Sequence, residues 1–469
     1  MLRLTSALSK FEINLHDLAD PIATFRQSVI GSDVMLETED GAKKMIYADY
    51  VASGRALRQV EEFVMNEVLP FYANSHTEQS FCGARMTRMR EEARAIVARH
   101  CNANVDEHAV IFGGSGATTG INQAIHLFGV HNAVRAGEPV TVFVGPYEHH
   151  SNLLPWRESG AKLIEIREAK EGGADLEDLQ QKLAQHASTG IVIGAFSAAS
   201  NVTGVCTDPA PVSQLIKSHG GRILWDYAGG APYLAMSMKP NGVDIDAIVF
   251  SPHKFVGGPA ASGVLVIRQD AVVTTIPSRP GGGTVVFVNE NQHDYVSRLE
   301  QREEGGTPDV IGDIRAALAI LIKETIGQKK IDQINSKMSS IGMSHFQNLP
   351  QAKLLAEARA TRLPIFSFVP HDLSGNAIDY KEFTIALSQK QGIQARGGCS
   401  CAGPYVHQLL DIDDQTSAIL RADLLQGDDR KKPGFVRFNL SYLMDDDTID
   451  AIFDGIAKCL EDNSQHCCE

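Results

Sequence analysis

Lys254 sits in Ser251-Pro252-His253-Lys254-Phe255-Val256-Gly257-Gly258-Pro259, directly after the apolar run Ala247-Ile248-Val249-Phe250. Asp226 closes an earlier apolar run, Ile223-Leu224-Trp225. An amine and a carboxylate at the ends of two strands are the pair that pyridoxal phosphate (PLP) requires. The lysine condenses with the cofactor aldehyde as a Schiff base, and the aspartate keeps the pyridine nitrogen protonated so that the ring can take up electrons. Taken singly, each residue has an ordinary structural account: a lysine capping a strand, an aspartate opening a turn. The surrounding motifs weigh against that account.

Upstream, Gly113-Gly114-Ser115-Gly116-Ala117-Thr118-Thr119-Gly120 follows an apolar run ending at Phe112 and opens a helical pattern from Ile121. Glycines let a backbone approach a phosphate. The free N–H groups and dipole of a helix start then hold it, helped by the Thr118 hydroxyl. An ordinary strand–helix turn has the same composition. Ser251 and His253 can add phosphate donors or serve turn chemistry. In Glu148-His149-His150-Ser151-Asn152, an imidazole after the strand ending at Val144 can lie flat on a pyridine ring and relay protons, or be a polar loop residue. Zinc is a poor account of the histidine pair, because no third and fourth ligand stand at a recognisable spacing. Asn201, in Ser200-Asn201-Val202-Thr203-Gly204, can donate to a phenolate oxygen or shape a turn.

These side chains need a frame that gathers strand ends. Strands are expected over 109–112, 140–144, 163–166, 191–196, 222–225, 247–250 and 263–267, with helices between most of them, as over 176–185 and 212–218. Such alternation predicts an α/β fold with a mainly parallel sheet covered on both faces. Ligands in such sheets bind outside the carboxyl ends of the strands, where Asp226 and Lys254 fall. Between 269 and 312, glycines and charges increase, in Pro280-Gly281-Gly282-Gly283-Thr284 and in Glu303-Glu304-Gly305-Gly306-Thr307-Pro308. Apolar residues persist there, so functional loops are expected rather than a tether. A helix over 311–325 follows. A strand over 363–369, a helix near 381–390, a strand over 435–440 and a last helix over 447–462 predict a smaller α+β domain. Asp445-Asp446-Asp447 suits the start of that last helix. The expected division is an N-terminal segment 1–45 packing on the small domain, a large cofactor-binding domain 46–320 and a small C-terminal domain 321–469.

The chain has 469 residues, 43% hydrophobic and 21% charged, a soluble globular composition with ample length for a large core. A net charge of −14 argues against nucleic-acid and anionic-membrane binding, which need a basic face. The arginines between Arg85 and Arg99 alternate with glutamates and read as a solvated helix face. No segment reaches the ~18 consecutive apolar residues of a membrane span. No secretory leader is read in the first residues, while a weak organelle-targeting role stays open. The eight cysteines are too sparse for a disulfide framework, so a reducing, cytoplasmic setting is expected.

In their order, the glycine turn, Glu-His-His, Ser-Asn-Val-x-Gly, strand-Asp and Ser-x-His-Lys resemble the class V aminotransferase-fold enzymes, which are fold-type I PLP proteins. Within that group the likeness is to cysteine desulfurases, including selenocysteine lyase-like members, and it runs from about Tyr47 to the last helix. The resemblance implies Lys254 as the Schiff-base lysine, Asp226 as the pyridinium partner and His149 stacked on the ring. It implies phosphate binding by Gly116, Ala117, Thr118, Ser251 and His253, and places Asn201 and Ala228 beside the cofactor. Thr284 resembles the residue that reaches the phosphate of a neighbouring subunit, which implies a homodimer with shared sites. Arg437, in Val436-Arg437-Phe438-Asn439, resembles the arginine that grips a substrate carboxylate through its planar fork. Ala52, His76 and Arg396 would complete the substrate pocket.

Arg396-Gly397-Gly398-Cys399-Ser400-Cys401 resembles the desulfurase loop, with Cys401 at the nucleophile position. A sulfur-accepting cysteine must reach the substrate as a thiolate from a loop that moves. Cys-x-Cys is also compatible with half of a metal site, or with two small buried residues in a turn. Two departures from the family stand out. Gly229 occupies the place of a glutamine that contacts the phenolate oxygen, and Cys399 lies beside Cys401. The implied activity is removal of sulfur from L-cysteine, giving L-alanine and a persulfide on Cys401, with a sulfur-acceptor protein downstream. The alternatives are another PLP reaction (β-lyase, aminotransferase or epimerase) or a non-catalytic PLP-fold binding protein. Cys467-Cys468 can be a sulfur-accepting tail or frayed surface cysteines.

Overall fold

The computed structural model describes residues 6–38, 41–75, 78–187, 189–359 and 361–465. Its centre is a seven-stranded sheet. The strands are β1 (His108–Gly113), β2 (Val140–Val144), β3 (Lys162–Glu165), β4 (Ile191–Ser197), β5 (Arg222–Asp226), β6 (Ala247–Phe250) and β7 (Gly263–Arg268). Their spatial order is β1-β7-β6-β5-β4-β2-β3. All pairs are parallel except those of β7, which runs antiparallel to both β1 and β6. Every residue of β2 and of β6 is buried, as a sheet covered on both faces requires. Alternate residues feed two cores: Phe143 and Ile248 face one, Val142, Val144 and Val249 the other. The expected strands agree with the observed ones to within a residue or two.

Helix α1 (Ala7–His16) and α2 (Pro21–Ser28) begin the described chain, and α3 (Phe81–His100), α4 (Ala117–Leu127) and α5 (Val310–Ile326) flank the sheet. The N-terminal segment touches both parts of the chain: Arg26 donates through Nε to Leu443 O at 2.5 Å and through Nη2 to Met444 O at 3.4 Å, within the expected small domain. Leu8, Phe11 and Leu15 of α1 and Phe25 of α2 join the core that includes α3 and α5 residues, rather than the core of the small domain. Their spacing makes one apolar stripe, and the apolar surface offered to it lies on α3 and α5. The arginines of α3 depart from a solvated face. Arg90 and Arg94 are buried and paired: Arg90 with Glu304 at 2.8 Å and Asp313 at 2.7 Å, Arg94 with Glu304 at 2.8 Å. Burial of a guanidinium is tolerable only with such partners.

After Gly327 the chain enters α6 (Gln328–Gln347) and a four-stranded antiparallel sheet: β8 (Ala352–Leu354), β9 (Ile365–Pro370), β10 (Arg396–Gly398) and β11 (Phe435–Asn439), in the order β8-β9-β11-β10. With α7 (Tyr380–Gln391) and α8 (Asp446–Gln465) it encloses a third core of Phe346, Phe366, Phe368, Phe383, Phe438 and Phe453.

A strap over 46–57 joins this sheet to the large one. Ile46 and Tyr47 pair in parallel with Ile393 and Gln394. Asn439 donates its N–H to Ala48 O at 2.8 Å, and Gly54 N–H donates to His253 O at 2.9 Å. A Cβ on Gly54 would lie 1.8 Å from Phe255 O, so only glycine allows this approach. Among the described residues no helix is long and apolar enough to cross a membrane.

Candidate active site

Parallel strands deliver their last residues to one edge, and the site is built there. Asp226 ends β5, Ser251 follows β6, and the Pro252–Lys254 turn carries His253 and Lys254. These residues line a cavity of about 250 Å³ together with Ala52, Ala117, Thr118, His149, Asn201, Ala228, Arg396, Cys401 and Arg437. Residues scattered over almost four hundred positions of sequence therefore meet in one place.

One end suits a phosphate. Helix α4 starts at Ala117 with Gly116 at φ 58° before it, a residue with no side chain to cap the helix. A Cβ on Gly116 would stand 2.7 Å from Ser251 Oγ, so the glycine keeps the cradle open. Ala117 N–H donates to Ser251 Oγ at 2.9 Å, and the Thr118 and Ser151 hydroxyls are 2.7 Å apart. Burial, with Lys254 nearby, lowers the His253 pKa to about 4.

The middle suits a protonated heterocycle. Asp226 is buried, and Ala228 N–H donates to its Oδ1 at 2.7 Å. Burial pushes its pKa up, opposed by the Ala228 hydrogen bond and by Lys254. A cationic ring nitrogen facing the carboxylate would offset that desolvation. The Lys254 amine is enclosed in the cavity although the residue as a whole is partly exposed. Burial lowers its pKa to about 8, with Asp226 opposing the shift. A neutral amine is thus accessible near neutral pH, as attack on an aldehyde requires. Burial likewise lowers the His149 pKa to about 4, with Lys254 adding to the effect, so its ring is neutral. The donors, the acid and the amine together fit PLP.

Behind His149, Glu148 is buried and braces the loop. It accepts from Ser197 N–H at 2.8 Å, Ser197 Oγ at 2.7 Å, Gly145 N–H at 3.2 Å and Asn152 Nδ2 at 2.5 Å. Burial raises its pKa to about 8 despite these donors. The sequence reading passed over Glu148, Ser115, Ser151 and Asp49. The available signal was positional, since Glu148 and Ser151 flank the histidine pair within one short loop.

The third end carries charge and sulfur. Arg437 on β11 is buried; its Nη1 donates to Asn201 O at 2.9 Å and its Nη2 to Asp49 Oδ1 at 2.6 Å. Arg396, at the start of β10, donates through Nε to Asp49 Oδ2 at 2.9 Å. Cys401 is exposed and Cys399 half-buried. Ser400 and Cys401 hold φ of 50° and 56°, in the left-handed region. The loop is tied down by Asn201 Nδ2 donating to Ser400 O at 2.7 Å and by His150 N–H donating to Cys401 O at 2.8 Å. One Asn201 donor is thereby committed to the cysteine loop. Among the described residues no group of three or more His, Cys, Asp or Glu stands at a spacing to hold a metal.

Thr284 lies outside this cavity, buried, with Oγ1 donating to Gly281 O at 2.7 Å. His76, Cys467 and Cys468 fall outside the described residues. A Cβ on Gly229 would stand 3.2 Å from Ala199 O, a tight approach, and 3.6 Å from Asn201 Cβ, an ordinary contact.

Residues 46–452 match the aminotransferase class-V family. A probable cysteine desulfurase of Halalkalibacterium halodurans is 26% identical over 382 residues, covering 80% of this chain and 88% of the relative. A cysteine desulfurase of an Enterobacter species is 28% identical over 379 residues, covering 79% and 88%. The solved structure of the cysteine desulfurase CsdA from Escherichia coli shares the fold, with a TM-score of 0.73, 23% identity, and coverage of 95% of this chain and 99% of that one.

Proposed function

The chain belongs to the aminotransferase class-V family, whose members depend on PLP, and we propose that it is a cysteine desulfurase. In this reading it removes sulfur from L-cysteine, releases L-alanine and keeps the sulfur as a persulfide on Cys401. The observation that carries the proposal is the presence of Cys401 on the wall of the cavity that also holds Lys254, Asp226 and Arg437. The names of the relatives, cysteine desulfurases over most of their length, support it.

Bound PLP supplies an electron sink at the substrate α-carbon. Arg437 and Arg396 bind the substrate carboxylate and fix its orientation. Lys254, as a neutral amine, takes the α-proton and later returns a proton to carbon. Asp226 would hold the ring-nitrogen proton of the bound cofactor, and His149 would cover its ring. The Cys401 thiolate then attacks the substrate sulfur: the substrate C–S bond breaks, an S–S bond forms on Cys401, and the carbon is protonated to the methyl group of alanine. Substrate and enzyme thiol together account for every atom of alanine and persulfide, so no external oxidant or reductant enters.

We further propose a homodimer in which Thr284 serves the phosphate of the second copy. Support comes from the adjoining hairpin, where Val286 and Val288 are 73% and 64% exposed. A sulfur-acceptor protein and a reducing, cytoplasmic setting suit a thiol that must be regenerated. A second reading, a PLP reaction without a cysteine nucleophile, draws on Gly229, which stands where the family has a glutamine and where a Cβ would lie 3.2 Å from Ala199 O.

One experiment separates the two readings. Holoenzyme is given L-cysteine for a single turnover. Alanine, sulfide, pyruvate and keto acids are quantified, and persulfide is mapped by mass spectrometry. Wild type is expected to give alanine and a persulfide on Cys401. Cys401→Ser should lose both by about a hundredfold or more while keeping bound cofactor, and Cys399→Ser should lose far less. Alanine at the wild-type rate from Cys401→Ser sinks the desulfurase reading.

A further inference from the structure

Neighbouring histidines of one short loop turn to different tasks. His149 stands on the cavity wall. His150 instead grips the loop that carries Cys401, and its two contacts bracket that cysteine. The His150 backbone N–H donates to Cys401 O at 2.8 Å, and its imidazole Nε2 accepts from Gly403 N–H at 3.1 Å. A ring nitrogen that accepts carries no proton, so the imidazole is neutral with its hydrogen on Nδ1. A Cβ on Gly403 would stand 3.2 Å from Nε2, so the glycine leaves room for the ring.

Both sides of this latch are anchored. Just before His150, the buried Glu148 accepts four hydrogen bonds and fixes the loop. Gly403 opens the helix Gly403–Leu409, which is seated by Tyr405 and Val406, buried beside Tyr147. Between the anchors lies the stretch 399–402, where Ser400 and Cys401 hold left-handed φ values. Two further bonds act on it: Ala402 N–H donates to Cys399 O at 3.2 Å, and Asn201 Nδ2 to Ser400 O at 2.7 Å. Of these four bonds, the imidazole one alone depends on protonation. A cationic ring has no lone pair for Gly403 N–H, and it would face the free amides of a helix start, where positive charge is unfavourable. Among the described residues, the charged or titratable groups that act on the imidazole are Arg157, in the helix Leu154–Glu158, and His149, whose ring centroid is 6.1 Å away; the Cys401 thiol belongs to the loop being held. Burial, with Arg157 adding to it, holds the His150 pKa below the ordinary imidazole value. Folding therefore resists protonation of this ring, so the latch is complete above about pH 6.5 and is lost as pH falls below it.

We propose that His150 is a positioning residue, which holds Cys401 at the cavity wall while its ring is neutral and releases the loop when the ring is protonated. The proposal rests on the reading of Cys401 as the sulfur acceptor. It gives persulfide formation a pH response of its own, set by a side chain outside the cavity.

The test compares wild type, His150→Gln and His150→Leu as holoenzymes at about pH 7.5 and about pH 5. Glutamine offers an acceptor oxygen in place of Nε2 and does not titrate, whereas leucine offers no acceptor. Persulfide on Cys401 after a single turnover of L-cysteine is quantified by mass spectrometry. Protection of the Gly403 amide is read by hydrogen exchange, corrected for the intrinsic rate. Ionisation of the Cys401 thiol acts on all three proteins and cancels when they are compared at one pH. At the higher pH, His150→Gln should stay within about threefold of wild type in both readouts, and His150→Leu should fall about fivefold below it. At the lower pH, wild type should drop to the level of His150→Leu, about fivefold below His150→Gln. A purely structural role for His150 would leave the ratio of wild type to His150→Gln the same at both pH values. A ratio unchanged within about twofold in either readout, or one that rises in acid, overturns the proposal. If the variants do not fold, wild-type Gly403 protection decides alone, and protection that does not fall in acid overturns the proposal. Absence of alanine and persulfide from wild type at the higher pH would sink the desulfurase reading, while the exchange readout still judges the latch.

Discussion

Opposite walls of the cavity are held by different means. On the sheet side, Asp226 and Ser251 are each 4% exposed and sit where strands end, pinned by Ala228 N–H and by the start of α4. On the other side, Cys401 is exposed, and it and Ser400 keep left-handed φ values of 56° and 50° that cost a non-glycine residue energy. A few bonds from Asn201 and His150 hold that loop. The contrast follows the chemistry. Proton transfer at carbon needs groups fixed within a fraction of an ångström, whereas a sulfur acceptor must approach, take its cargo and turn outward.

Breaking the sheet wall should cost most. Lys254→Ala is expected to lower alanine formation by about 10⁴-fold or more, since in the proposed mechanism it removes both the cofactor's attachment and the proton carrier. Borohydride treatment followed by mass analysis reads the attachment directly. Cofactor still trapped on the variant protein would remove Lys254 from its role.

A gentler probe is pH. Burial lowers the Lys254 pKa to about 8, and only the unprotonated amine attacks an aldehyde. The rate of PLP attachment to cofactor-free protein should therefore rise about tenfold per unit up to that pH and level off above it. His149 and His253, with pKa values near 4, are neutral throughout and add no step at pH 6 to 7. The sign for stability agrees. Above pH 8 and below the ordinary lysine value, the unfolded chain holds a proton that the folded one has lost, so stability of the cofactor-free protein rises with pH across that window. Stopped-flow absorbance and chemical denaturation check the two statements, and a rate flat from pH 6 to 9 would contradict the first.

The smallest effect is expected on the loop wall. Ser400→Gly removes a left-handed strain of about 1 kcal/mol and frees the loop. Exchange of the substrate α-proton, read by NMR, should stay within about twofold of wild type, while persulfide formation changes by a few-fold. Equal changes in both would mean that the two walls work as one unit.

Local patterns made the sheet wall legible in the sequence. Apolar runs such as Val140–Val144 announce strands, and Asp226 and Lys254 stand where those runs stop. Asp49 gave no such signal. In Tyr47-Ala48-Asp49-Tyr50 it reads as a turn residue, and its meaning comes from Arg437, 388 positions away. Glu148 was hidden for the same reason, since its donors include Ser197 on another strand. The N-terminal segment gave no sign of its contacts either: the apolar stripe of α1 does not by itself say which surface receives it. Pairings between distant segments are set by the whole packing arrangement, and one sequence displays only the partners' chemistry.

The span from Asp49 to Arg437 also sets an order of assembly. Chains are made from the N-terminus, and domains close as their segments emerge. By the time β7 is complete, the nascent protein holds the amine, the acid and the phosphate turn, but the carboxylate anchor comes only with β11. Residues 393–394, which pair with the strap, and Arg396 are made shortly before, but until β11 emerges Asp49 lacks Arg437. A growing chain can thus acquire the parts that hold a cofactor before it has those that admit an amino acid. Competence to react arrives only when nearly the whole chain has been made.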